Sequence, residues 1–268
     1  MNKKTYPMKR PPYKLGLVLG GGGARGFAHL GVTRALYEHD IKPDIISGVS
    51  AGSIVGAFLA AGLNPAEVFE LLRDQDIMKI TNIHLPKDGL LKLGGLQKQL
   101  KLHIPFKKVE ELPIKLIVAV CNLNKARVEY LSEGPLADLV LASSSIPVLF
   151  APVSLNDQLY ADGGVLDNLP VKPVRKICEK VIAVDISPVH ETDKLENLFQ
   201  IAVRTFHLSV WKYTVQWGKK ADILIEPPDV DKYDILSTKH VEELYERSYQ
   251  YTLDLIRKSS VFHNFGAD

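Results

Sequence analysis

Cysteine is nearly absent from this chain: Cys121 and Cys178 are the only two in 268 residues, and both sit in apolar contexts. That scarcity excludes a disulfide scaffold and reads as two buried free thiols of a reducing, cytoplasmic compartment. An excess of one charge is missing too. Lys and Arg total 33 against 31 Asp and Glu, a formal net charge of +2, and no basic stripe is interleaved with aromatics. Nucleic acid is therefore not an expected partner. Internal repeats and low-complexity tracts are absent, which removes solenoids and disordered linkers from consideration. A long charge-free run occurs at Ile45 to Leu63. It is long enough to raise the question of a membrane helix, but Ser47, Ser50, Ser53 and four glycines interrupt it, and such a composition suits close packing on a sheet better than lipid.

Aliphatic runs alternating with helical patterns fill the rest, the signature of an α/β domain. Residues 1–13, with Lys3, Lys4, Lys9, Arg10 and three prolines, read as a flexible basic tail that is solvated or touches anionic lipid. The apolar run behind it, Leu15 to Leu19, is too short for a signal peptide. Residues 14–268 then form one domain. Strands are expected at Lys14–Leu19, Ile45–Val49, Lys115–Cys121, Arg127–Leu131, Lys180–Ile186 and Ala221–Glu226. A hairpin, Val153–Leu155 with Gln158–Tyr160, turns at Asn156-Asp157. Helices are expected after the glycine loop as far as His39, after Ser50, and over Pro65–Arg73, Leu96–His103, Pro135–Ala142, Glu196–Gly218 and Lys239–Lys258, with a further one opened by Pro170. Trp211, Tyr213 and Trp217 read as packing residues. The lysine-rich stretch from Asp76 to Leu112 reads as a solvated excursion, with a membrane-contacting lid as the other reading.

Three places look chemical. Gly48-Val49-Ser50-Ala51-Gly52 is a G-x-S-x-G turn between a strand and a helix, where small neighbours let the backbone lift one hydroxyl above the sheet. Ser50 is the candidate nucleophile. Gly20 to Gly26 is a glycine-rich strand-to-helix loop, an anion-binding arrangement of backbone N–H groups. It contains G-x-G-x-x-G, yet no acidic residue ends the second strand to hold a ribose, and the Gly-Lys-Ser/Thr ending of a phosphate loop is missing. Third, Tyr160-Ala161-Asp162-Gly163-Gly164 holds a carboxylate at a strand end by a glycine turn. A base for Ser50 is needed. His240 or His263 would serve an α/β-hydrolase order, Asp185 is a spare acid, His29 reads as structural, and Asp162 is a direct base if burial raises its pKa.

Taken together, Gly20 to Gly26, Gly48 to Gly52, Ala142 to Pro147 with Phe150 and Pro152, and Asp162-Gly163-Gly164 occur in an order that resembles the bacterial patatin-like phospholipases. The resemblance covers roughly Lys14 to Pro170. It implies a three-layer α/β/α sandwich with a mostly parallel central sheet and a catalytic Ser50–Asp162 dyad. Gly21, Gly22 and Gly23 would form the oxyanion hole, with Arg25, Gly48, Gly52, Gly163 and Gly164 in support. It also implies hydrolysis of phospholipid or other acyl esters through an acyl-Ser50 intermediate, without metal or cofactor, at or near a membrane. An acyltransferase using the same dyad, or a lipid-sensing protein of low turnover, stays open as an alternative. So does the oligomeric state.

Overall fold

The computed structural model describes residues 11–73, 93–191, 195, 198–259 and 262. The first ten residues of the basic tail, residues 76–92 of the lysine-rich excursion, and His263 lie outside them. Eight strands form one sheet: β1 (Tyr13–Leu19), β2 (Ile45–Val49), β3 (Lys115–Asn122), β4 (Arg127–Leu131), β5 (Val153–Leu155), β6 (Gln158–Asp162), β7 (Cys178–Val184) and β8 (Ile223–Ile225). Helices are α1 (Phe27–Glu38), α2 (Ala51–Ala60), α3 (Pro65–Arg73), α4 (Gly94–His103), α5 (Leu136–Ser143), α6 (Lys172–Arg175), α7 (Leu198–Gly218) and α8 (Val241–Lys258).

The parallel part of the sheet is β3-β2-β1-β7-β8, and β4, β5 and β6 join by antiparallel pairing. Strands buried on both faces read as near-continuous apolar runs, and Leu15–Leu19 of β1, Leu116–Cys121 of β3 and Val181–Val184 of β7 supply them. Leu17, Leu19, Ile46, Leu116, Val118, Ile182 and Val184 point into a large core shared with α1 to α5 and α8. The alternate residues Val18, Ile45, Ile117, Val181 and Ala183 point into a second core with Val174 of α6 and Trp217 of α7. The result is the three-layer α/β/α arrangement with a mostly parallel sheet.

Most expected elements appear within a residue or two of their predicted bounds, which is the ordinary uncertainty of element ends. The Asn156-Asp157 hairpin turn is present with both residues at positive φ, 49° and 59°, as a tight hairpin requires. One expectation is corrected: Pro170 opens no helix. Its carbonyl accepts a hydrogen bond from Ser47 Oγ at 2.9 Å, and α6 begins at Lys172 with Pro173 in its first turn. The charge-free stretch is also settled. Every residue of α2 except Ile54 is buried against protein, and among the described residues no helix is long and apolar enough to cross a membrane.

Pairing along β3 explains how distant parts of the chain meet. Ile45 to Val49 of β2 pair with Lys115 to Ala119, whereas Tyr160 to Asp162 of β6 pair with Asn122 to Val120. β4 pairs with Val118 to Asn122 and so overlaps both. A strand has only two edges, so β4 takes one, and β2 and β6 share the other, end to end. Val49 lies opposite Ala119 and Asp162 opposite Val120. The residue after β2 is Ser50. Two segments more than a hundred positions apart are thereby brought to one point on the sheet.

Candidate active site

Ser50 stands between β2 and α2 with φ 52° and ψ −125°, a conformation that costs a non-glycine residue free energy and persists only when its surroundings hold it. Those surroundings are identifiable. The Ser50 N–H donates to Ser143 Oγ at 2.9 Å, and Ser143 Oγ–H donates in turn to the Ala119 carbonyl at 2.7 Å. Ser53 Oγ–H donates to the Ser50 carbonyl at 2.7 Å. Behind the turn, a Cβ on Gly52 would collide with the carbonyl of Leu19 at the end of β1, so the first turn of α2 sits directly on the sheet only because that side chain is absent. The N-terminus of α2, where the helix dipole is positive, lies at Ser50.

Asp162 ends β6. Its N–H donates to the Ser145 carbonyl at 2.9 Å, and its Oδ1 accepts from the Gly164 N–H at 2.7 Å, across the short 3-10 turn Gly163–Val165. Ser50 and Asp162 are only 6% and 4% exposed. Burial raises the Asp162 pKa to about 7, against the opposing pull of hydrogen bonds from the Ser50 hydroxyl and the Gly164 N–H, which favour the carboxylate. A carboxyl poised near neutrality, bonded to a serine hydroxyl, has the proton affinity that a general base requires.

The glycine loop closes the third side. It is held by His29, buried in α1, whose Nε2 bonds the Gly20 carbonyl at 2.8 Å. Burial lowers the His29 pKa to about 4, so this histidine is neutral and structural. Gly20 N–H donates to Val184 O at 3.0 Å, and Gly21 N–H to Asn168 O at 3.1 Å. Ser187 Oγ–H donates to the Gly21 carbonyl at 2.8 Å. Gly23 has φ 58° and packs against the Ile235 carbonyl, a place only glycine fits. Among the described residues the N–H groups of Gly22 and Gly23 have no backbone partner, and both line the cleft that holds Ser50 and Asp162. The expectation for Gly21 is corrected accordingly: its N–H is already committed to Asn168. Arg25, expected in support of the loop, does not line the cleft. Its Nε and Nη2 donate to the carbonyls of Tyr233 and Asp231 at 2.7 and 2.8 Å, which pins the chain before α8 over the loop.

Gly164 and Asn168 complete the polar floor of the cleft; Ile146, Pro147, Val148, Ala202, Phe206 and Ile235 make its walls apolar. His207 of α7 also lines it, with its pKa lowered to about 4 by burial and then by Arg25 and Arg204. Of the two late-chain histidines considered from sequence, His240 does not line the cleft. His240 is exposed at the start of α8 beside Glu243, 3.7 Å away, and His263 is not among the described residues. Asp185 is buried with its pKa raised to about 6 by burial, but its Oδ1 accepts from the Ser187 N–H at 2.9 Å and it does not line the cleft. Among the described residues no group of three or more His, Cys, Asp or Glu could hold a metal ion.

Sequence reasoning missed the braces. Ser143 to Ser145 is more than a helix end: one serine holds the Ser50 N–H and another the Asp162 N–H. Asn168 bonds the glycine loop from the opposite side, aided by Asp167, whose Oδ2 accepts from Tyr130 Oη at 2.6 Å. The triple serine was visible in the sequence, but its partners are fixed by tertiary structure alone.

The model of one protein family, described as patatin-like phospholipase, matches residues 17–175, a segment that runs from β1 through the glycine loop, Ser50 and Asp162 to α6. The chain belongs to the patatin-like phospholipase family. Relatives of this patatin-like chain include a lysophospholipase NTE1 of Candida albicans, 26% identical over 273 residues that cover 90% of this chain and 20% of that protein. An uncharacterized NTE family protein of Mycobacterium tuberculosis is 32% identical over 177 residues, 65% of this chain and 49% of that one. The chain thus spans about a fifth of the fungal relative and about half of the mycobacterial one. Among solved structures, VipD from Legionella pneumophila superposes with a TM-score of 0.59 at 17% identity, covering 96% of this chain and 72% of that one; this is a likeness of fold.

Proposed function

We propose that this chain is a serine carboxylic-ester hydrolase for phospholipid or related acyl lipids, working through a Ser50–Asp162 dyad. The observation that carries the reading is the buried pairing of a serine on a strained strand-to-helix turn with a carboxyl raised towards neutrality, beside two backbone N–H groups that have no backbone partner among the described residues. The apolar cleft walls suit acyl chains, and family membership and the lysophospholipase relative point to lipid esters.

In this mechanism Asp162 takes the Ser50 Oγ proton as Oγ bonds to the ester carbonyl carbon. The developing oxyanion lies towards the Gly22 and Gly23 N–H groups and the N-terminus of α2. Collapse breaks the ester bond, and the departing alcohol oxygen takes the proton from Asp162. Water then attacks acyl-Ser50, giving its proton to the same carboxylate, and the fatty acid leaves as Ser50 is restored. Such a base works only when ionised, so kcat/KM rises with pH through a value near 7, the pKa to which burial brings Asp162.

The test is labelling by a fluorophosphonate together with p-nitrophenyl ester hydrolysis. Wild type is expected to label at Ser50 and hydrolyse, and Ser50→Ala to lose both, with a rate loss of about a thousandfold or more. Full hydrolysis by Ser50→Ala overturns the reading.

A further inference from the structure

The helix that contributes Ala202, Phe206 and His207 to the cleft turns a different face outward. Along that face Leu198 is 82% exposed, with Ile201, Leu208, Trp211 and Val215 also exposed. They recur at the spacing that keeps them on one side of a helix. A soluble surface rarely collects so many large apolar side chains in one stripe without a partner. The charges along the helix itself have a single sign. From Leu198 to Lys220 the chain carries Arg204, Lys212, Lys219 and Lys220 and no Asp or Glu at all, although the whole protein is nearly neutral. Lys212, Lys219 and Lys220 are exposed.

We propose that the outer face of α7 is the surface on which this protein docks to an anionic phospholipid bilayer. An apolar stripe with an exposed tryptophan, flanked by cations and free of acids, has the composition of a helix that lies in the plane of a membrane interface. The cations meet anionic head groups, while the aliphatic side chains and the Trp211 ring enter the boundary between head groups and acyl chains. Continuity with the cleft favours lipid over another occupant. The same helix supplies one wall of the site, and Val148, 77% exposed, carries the apolar character of that site outward from another wall. A lipid entering from a docked bilayer would cross only this rim. The inference rests on the lipid-ester reading of the cleft, and the two are separated by testing binding without turnover.

Ser50→Ala protein, which cannot consume the bilayer, is sedimented with phosphatidylcholine vesicles and with vesicles in which about a third of the lipid is phosphatidylglycerol. Binding to the anionic vesicles is expected, weakening as salt rises. Adding Ile201→Asp and Trp211→Asp is expected to reduce it by about tenfold or more, since charges replace inserted apolar groups. Adding Lys212→Glu and Lys219→Glu instead is expected to remove the preference for anionic vesicles. Thermal melting and hydrolysis of a water-soluble ester, measured with the same substitutions on the Ser50 background, are expected to stay at the parent level. Failure to sediment with either vesicle overturns the surface, as does undiminished binding by the Ile201→Asp, Trp211→Asp protein. A solution dimer that these two substitutions dissolve also overturns it, because a second copy then covers the stripe. Vesicle binding by a protein that hydrolyses no ester supports the surface and overturns the hydrolase reading; an ester hydrolase indifferent to vesicles does the reverse.

Discussion

Helices α2 and α7 flank the same cleft and are both rich in apolar residues, yet they have opposite fates. α2 has no charge and follows a strand, and it is buried on nearly every side. Its glycines let it settle onto the end of β1, with Gly52 against the Leu19 carbonyl. α7 packs Val210, Thr214 and Trp217 inward and leaves Leu198, Leu208 and Trp211 in the open. Hydrophobicity by itself therefore says little about what a helix touches. The presence of glycine at the contact points, and the position of the helix relative to the sheet, decide whether it becomes core or surface.

That contrast can be broken at its rigid end first. Gly52→Val drives a branched side chain into the Leu19 carbonyl; a loss of about 3 kcal/mol or more in denaturant unfolding is expected, along with loss of fluorophosphonate labelling. A cost below about 1 kcal/mol would show that α2 is not seated as tightly as described.

Next in size is Asp162→Asn, which separates the proposed catalytic role of a buried carboxyl from its cost. The folded-state pKa is raised to about 7 from an ordinary carboxylate value. Between those two values the unfolded chain releases a proton that the folded chain keeps, so this group makes stability fall as pH rises from about 4 to 7. Asp162→Asn removes that penalty. It is expected to abolish ester hydrolysis while melting higher than wild type at pH 8, by on the order of a few kcal/mol, with the difference vanishing near pH 4. Melting curves at the two pH values check the sign.

The smallest effect belongs to the open end of the comparison. Leu208→Gln on the outer face of α7 replaces a half-exposed side chain and is expected to change unfolding free energy by no more than about 0.5 kcal/mol. A larger loss would mean that the stripe is packed against part of this protein.

Much of the candidate site is legible in the sequence. Gly48 to Gly52 forms the turn its spacing implies, the Asp162-Gly163-Gly164 turn presents its carboxyl to Ser50, and Gly22 and Gly23 line the cleft with N–H groups that have no backbone partner among the described residues. Local signals sufficed there because each motif sits where a strand changes into a turn, and such backbone geometry is written in glycines. Less legible were Gly21, Arg25 and Pro170, whose hydrogen bonds go to Asn168, to Tyr233 and Asp231, and to Ser47. Each of those partners is distant in sequence, and no periodicity records such a bond. Trp211 was expected to pack like Trp217, but one helix places the two on different faces.

By itself, then, the sequence determined the layered α/β fold, the family, and which serine and which carboxylate stand on glycine turns, because strand burial and turn geometry are local matters. Tertiary structure alone decided that β2 and β6 share one edge of β3. That placement puts Ser50 beside Asp162 and buries the carboxyl until its pKa approaches neutrality. It also decided that the Ser143 to Ser145 run braces both residues, and that α2 is hidden while α7 keeps an apolar face in solvent. Proximity, desolvation and exposure depend on which surfaces meet, and those meetings are made by strand pairing and packing across the whole chain.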